Sequence, residues 1–95
     1  MNKYEAMFIL RPDISEEERK NLFSSINEAV AKLGGHISNS GLWSEKRKLF
    51  FPIKKQNEGV YYLMEFALNP AAIKEINHTY KLNENILRVL ISNLG

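Results

Sequence analysis

Of the 13 lysines and arginines in this 95-residue chain, five (Lys46, Arg47, Lys48, Lys54 and Lys55) fall in the window 46–55, which holds no acid. Leu49, Phe50, Phe51, Pro52 and Ile53 lie among them, so cations and aromatic rings share one extended segment instead of a polar tail. Cations that neutralise phosphates and rings that stack on bases are the two ingredients of a surface that meets RNA. A strand with its apolar side in a core and lysines on its wet side would also be charged. Five cations in ten positions exceed what solubility requires. The net charge of +2 is too small to identify a partner, so placement matters more than the total.

No comparable group of residues favours catalysis. The two histidines, His36 and His78, have no cysteine or paired carboxylate near them to complete a zinc set. The absence of cysteine excludes disulfides and thiol redox chemistry and is compatible with a reducing cytosol. Asp13 is the sole aspartate, and Ser15 beside it is better explained as a helix cap than as a nucleophile. The serious catalytic alternative is an acylphosphatase-like enzyme, which would bind phosphate in the loop after its first strand, here Arg11-Pro12-Asp13-Ile14. A phosphate cradle needs converging backbone amides and usually glycines; this loop has no glycine, and its proline removes a donor. Gly34-Gly35 ends a helix and is no dinucleotide fingerprint. No cofactor, metal or small-molecule substrate is expected. No apolar run approaches a membrane span and the polar start lacks a signal-peptide core, so a cytoplasmic protein is expected.

The elements that must position the basic window are legible from periodicity and punctuation. Residues 3–10 mix Tyr4, Met7, Phe8, Ile9 and Leu10 and run into Arg11-Pro12, where proline stops a strand. Ser15 and Glu18 form a capping box, and Leu22, Phe23, Ile26, Ala29, Val30 and Leu33 recur at helical spacing until Gly34, predicting a helix over 15–33. Glu16, Glu17 and Glu18 complement its dipole and are read as structural. Residues 36–55, interrupted at 38–41, and 60–68 form a long hairpin with its turn at Gln56-Asn57-Glu58-Gly59. Asn69-Pro70 opens a second helix that carries Ile73, Ile76 and Tyr80 and reaches about Leu82. Residues 86–92 close as a strand. The order strand, helix, strand, strand, helix, strand, in one domain over 1–95, is that of an α+β ferredoxin-like βαββαβ fold.

Such a fold is a four-stranded, mainly antiparallel sheet with both helices on one face. Alternation then directs Tyr4, Ala6, Phe8, Leu10, Leu49, Phe51, Tyr62, Met64, Phe66, Val89 and Ile91 toward the helices. The other face would hold Glu5, Lys48, Glu65 and Arg88 together with Met7, Ile9, Phe50, Tyr61, Leu63 and Leu90. Those last six make it apolar for a surface in water, and a partner is expected to cover them. Residues 59–66 lack the basic residue and second glycine of an RNA-recognition motif's third strand, so Tyr61 and Phe50 serve either base stacking or a protein contact.

Lys3-Tyr4-Glu5, Ile9-Leu10-Arg11-Pro12, Arg47-Lys48-Leu49-Phe50-Phe51-Pro52-Ile53 and Asn85-Ile86-Leu87-Arg88-Val89 together resemble bacterial small-subunit ribosomal protein six, over essentially the whole chain. Phe50 stands where that family usually has alanine and Phe51 where it has tyrosine. Trp43 is followed by Ser44-Glu45 instead of glycine and lies about one position farther upstream, so a bulge or register shift is expected there. The resemblance implies a structural ribosomal protein, not an enzyme, that pairs with small-subunit ribosomal protein eighteen and binds the central domain of the small-subunit rRNA. It also implies RNA contacts from Arg47 and Lys48 in the basic motif, Lys3 and Tyr4 in the opening strand, and Arg88 in the closing one. Lys46, Lys54 and Lys55 join them through charge clustering. Besides the phosphate-handling enzyme, the remaining alternative is a small regulatory ligand-binding module of the same fold.

Overall fold

The computed structural model describes residues 1–53 and 56–95, and the side chains of 44–48 and 50–52 lie outside that description. Its elements are β1 (Asn2–Leu10), α1 (Glu16–Lys32), β2 (His36–Ile53), β3 (Gln56–Leu68), a short 3-10 turn (Pro70–Ala72), α2 (Ile73–Lys81) and β4 (Ile86–Asn93). The strands form one sheet in the order β2-β3-β1-β4 with every neighbouring pair antiparallel. Because β1 and β2 are both antiparallel to β3, they run parallel to each other, and α1 is the crossover of a split βαβ unit. The expected ferredoxin-like architecture is therefore the one observed.

Local chemistry sets the helix ends. Ser15 Oγ accepts from the Glu18 amide at 3.1 Å and donates to Glu18 Oε1 at 3.2 Å, so the capping box closes through the hydroxyl. At the other end Gly34 takes a left-handed φ of 78°, a conformation that favours glycine. The Gly34 and Gly35 amides then return to the carbonyls of Ala31 (3.0 Å) and Val30 (2.9 Å), the two bonds of a Schellman stop. Asn69 Oδ1 accepts from the Ala71 amide at 3.0 Å, but the first turn behind it tightens to 3-10 before α2 begins.

Both helices cover the same sheet face. Leu22, Ile26 and Val30 of α1 and Ile76 and Tyr80 of α2 are buried against Tyr4, Ala6, Phe8 and Leu10 of β1, Val60 to Leu68 of β3 at alternate positions, and Ile86 and Val89 of β4. The Phe8 ring meets Tyr80 edge-on at 4.9 Å, and Phe23 stacks on Tyr62 at 4.5 Å. The Tyr80 hydroxyl donates to the Ile26 carbonyl at 2.7 Å and so ties α2 to α1.

The hairpin departs from its expected form. Residues 56–59 continue β3, with Glu58 opposite Lys48, Gly59 opposite Arg47, and Gln56 opposite Ile53. Residues 38–41 also stay in β2, at the cost of a register slip between Ile37 and Asn39. Turn-forming composition yields to strand pairing here because this edge of the sheet is wet, where polar side chains are no obstacle to a ladder.

Burial pushes the Tyr80 hydroxyl pKa up, and the nearby Tyr62 adds to the shift, so the group stays a neutral donor through the physiological range. Tyr80→Phe is expected to lower stability by about 0.5–1.5 kcal/mol through loss of the bond between the helices, measured by urea denaturation at neutral pH. A folded-state pKa above the unfolded one means the contribution is intact below pH ~10 and fades as pH rises beyond it. The wild type should therefore lose its advantage over the variant above that pH.

Candidate nucleic-acid and partner interface

Because helices cover only one face, the odd-numbered residues of β1 and their cross-strand partners line the other. Register sorts them into rows. Leu90, Met7, Leu63 and Gly41 form one row across β4, β1, β3 and β2, and Arg88, Ile9, Tyr61 and Ser44 form the next. Beyond it Gly59 opposes Arg47. Met7, Tyr61 and Leu63 are half-buried, and Leu90 is 50% exposed. The expected apolar face is present, but its make-up differs from expectation in three places.

Ile9 is only 8% exposed and offers a partner little area. It is already covered: a Cβ on Gly59 would collide with Ile9 Cγ2 and sit 3.6 Å from Leu49 Cδ2. Leu49 therefore packs half-buried on the open side beside Ile9 and not, as expected, toward the helices. The cause is β2, whose register slips between Leu42 and Ser44, between Ser44 and Arg47, and between Lys48 and Ile53. Each odd-length slip inverts the alternation downstream. The same irregularity, expected near Trp43, turns that residue onto the open face, where it is 51% exposed and meets Tyr61 edge-on at 5.5 Å. Trp43 was not among the expected contact residues because its pointing direction depends on the bulge.

Tyr4 is the third. It is 5% exposed and its ring stacks on Phe66 at 5.6 Å, so it lies in the core as its alternation predicts and has little surface for the RNA contact that the resemblance implies. Its even position in β1 sends it under the helices while its neighbours Lys3 and Glu5 face out. Lys3 is exposed, and its backbone holds the chain end through Leu94 N to Lys3 O at 2.8 Å. Six residues of strand separate Lys3 from the row of Arg88, roughly 20 Å at ~3.3 Å per residue. Arg88 is exposed and lies one row from the backbone of Arg47. Arg88 and the backbone of Arg47 thus share one end of the open face, on its two opposite edges, and Lys3 stands at the other end. The side chains of Lys46, Arg47, Lys48 and Phe50, and all of Lys54 and Lys55, lie outside the described residues.

The loop after β1 has a different occupation from a phosphate cradle. Arg11 Nη2 lies 3.1 Å from Asp13 Oδ2 and Nε 3.2 Å from Oδ1, a bidentate pair. The hydrogen bond from Arg11 holds the Asp13 carboxyl below its usual range. Among the described residues no three or more His, Cys, Asp or Glu side chains gather as a metal site, and no helix is long and apolar enough to cross a membrane.

Comparison with known proteins places this geometry in a family. The sequence profile described as Ribosomal protein S6 matches residues 3–93. The chain is 42% identical over 91 residues to small ribosomal subunit protein bS6 of Caldanaerobacter subterraneus subsp. tengcongensis, covering 96% of this chain and 95% of that one. It is 43% identical over 91 residues to the bS6 protein of Thermoanaerobacter pseudethanolicus, with the same coverage. The crystal structure of 30S ribosomal protein S6 from Thermotoga maritima superposes with a TM-score of 0.88 at 30% identity, over 97% of this chain and 86% of that one.

The placement of Leu49 has a measurable consequence. Leu49→Ala is expected to cost about 1 kcal/mol, since the side chain is half-buried, whereas Ile26→Ala, at 1% exposure, should cost about 2–5 kcal/mol. Denaturant midpoints of the two variants would separate accordingly; equal losses would put Leu49 in the main core.

Proposed function

The chain belongs to the ribosomal protein S6 family and is a structural constituent of the bacterial small ribosomal subunit, and on that footing we propose that it binds the central domain of the small-subunit rRNA jointly with ribosomal protein eighteen. The observation that carries this reading is the open sheet face, whose apolar row of Leu90, Met7 and Leu63 lies beside the end that holds Arg88 and the backbone of Arg47. Phosphates are matched by cations and leave apolar surface wet; a second protein removes it from water. One face therefore suits two occupants, RNA at its cationic end and protein over its apolar row.

Arg88, Arg47 and Lys48, with Lys46, Lys54 and Lys55, supply the phosphate contacts, and Lys3 reaches a separate stretch of backbone from the far end. The protein contact uses Met7, Tyr61, Leu63, Leu90 and Phe50. Base stacking on Tyr61 is the weaker reading, because that ring is half-buried and already engaged by Trp43. A phosphate-handling enzyme is disfavoured by the Arg11–Asp13 pair, which occupies the one guanidinium of the loop.

Two variants test the division of labour. Arg47→Ala with Lys48→Ala is expected to weaken rRNA binding and to flatten its log-log salt dependence by roughly 0.7–0.9 per lost contact, while pairing with protein eighteen is unchanged. Leu90→Asp is expected to do the reverse, loosening the protein pair by about tenfold with a normal denaturation midpoint, because Leu90 is half exposed. Filter binding over a salt series and calorimetric titration against protein eighteen read the two effects. Intact RNA binding and slope in the basic double variant would contradict the assignment.

A further inference from the structure

One row of the open face is not explained by RNA or by apolar cover. Glu5 and Glu65 are direct cross-strand partners between β1 and β3, with Ser92 and Asn39 completing the row on β4 and β2. Directly opposed side chains stand about 4.5–5.5 Å apart at Cβ, and like charges there destabilise a sheet. Among the described residues neither carboxylate has an ion-pair partner, and Lys3 one row away pairs with neither. Beside the pair the face opens into a shallow cleft of about 290 Å³, walled by Trp43 and Leu63 and floored where Gly41 lacks a side chain. A Cβ on Gly41 would find nothing within 4 Å, so the cleft is open at that point.

We propose that this cleft seats an arginine side chain of the protein partner, its guanidinium held by Glu5 and Glu65 and flanked by Trp43. The inference rests on the partner reading above and names the chemistry of its contact. Two carboxylates side by side accept a guanidinium fork that an apolar ligand cannot use. An exposed indole adds a favourable face for the same cation. The apolar row next to it would take the aliphatic residues flanking that arginine. The Glu5–Glu65 row is thus an anionic band between Lys3 and the apolar row, with Arg88 at the far end of the face. Charge keeps RNA phosphates off this row, and the partner is registered on it.

The experiment is calorimetric titration of the full chain with ribosomal protein eighteen at several salt concentrations, using the wild type, Glu5→Gln/Glu65→Gln and Gly41→Leu. The glutamine pair is expected to weaken binding about tenfold and reduce its salt dependence, while its thermal midpoint equals or exceeds the wild type's because the repulsion is relieved. Gly41→Leu should fold normally, since its side chain enters free space, and should block binding by filling the cleft. Wild-type affinity and salt dependence in the glutamine variant would overturn the arginine seat and leave the partner reading standing. No binding by the wild type would overturn both. Tighter binding of an rRNA fragment to the isolated glutamine variant, with protein pairing unchanged, would show that RNA occupies this end and would also overturn the proposal.

Discussion

The structure depends on one strand being hydrogen-bonded along both edges while helices cover only one of its faces. β1 pairs with β3 from Asn2 to Leu10 and with β4 from Tyr4 to Leu10, so its register leaves little freedom to its neighbours. A slip of one residue would expose Phe8 and Leu10 and bury Glu5, which the hydrophobic term forbids. With the parity of β1 set, the partners in β3 and β4 inherit theirs, and two faces of opposite character follow. The one irregularity in the pairings of β1, between Ile9 and Leu10, lets Ile86 and Leu87 both be buried before alternation resumes at Arg88.

The two faces divide stability from function. The covered face carries the ring contacts among Phe8, Tyr62, Phe23 and Tyr80 and the hydroxyl bond between helices, all independent of any partner. The open face carries rows that change character every two residues along β1, from Lys3 through Glu5 and Met7 to Ile9. Only the Ile9 end is closed, by Leu49 over Gly59. The covered face is thus completed within the chain, while the open face keeps exposed apolar surface at Leu90 and Trp43.

How much of this is legible in the sequence follows from which interactions decide each element. Local chemistry decides α1 and the 3-10 turn that leads into α2, and Ser15, Gly34 and Asn69 announce it. Alternation decides most of β1, β3 and β4, and their inward residues are readable from period except where Ile9 and the adjacent Ile86 and Leu87 are also buried. Tyr4 shows where that reading conflicts with a motif-level one: its position in a characteristic opening tripeptide suggests contact, yet its parity buries it. The limits appear in β2. Bulges are set by what lies across the strand, so the directions of Trp43 and Leu49 are invisible without β3 beside them. Likewise the opposition of Glu5 and Glu65 exists only once the register is known.

In the function proposed above, a second protein completes the open face before it holds RNA well. The direct measurement is the affinity of the chain for an rRNA central-domain fragment, by isothermal titration, with and without ribosomal protein eighteen. A composite surface predicts coupling of about 1–3 kcal/mol, seen as roughly five- to 150-fold tighter RNA binding by the pair, and the same factor in protein pairing when RNA is bound first. Equal affinity of the isolated chain and the pair for the fragment would contradict it.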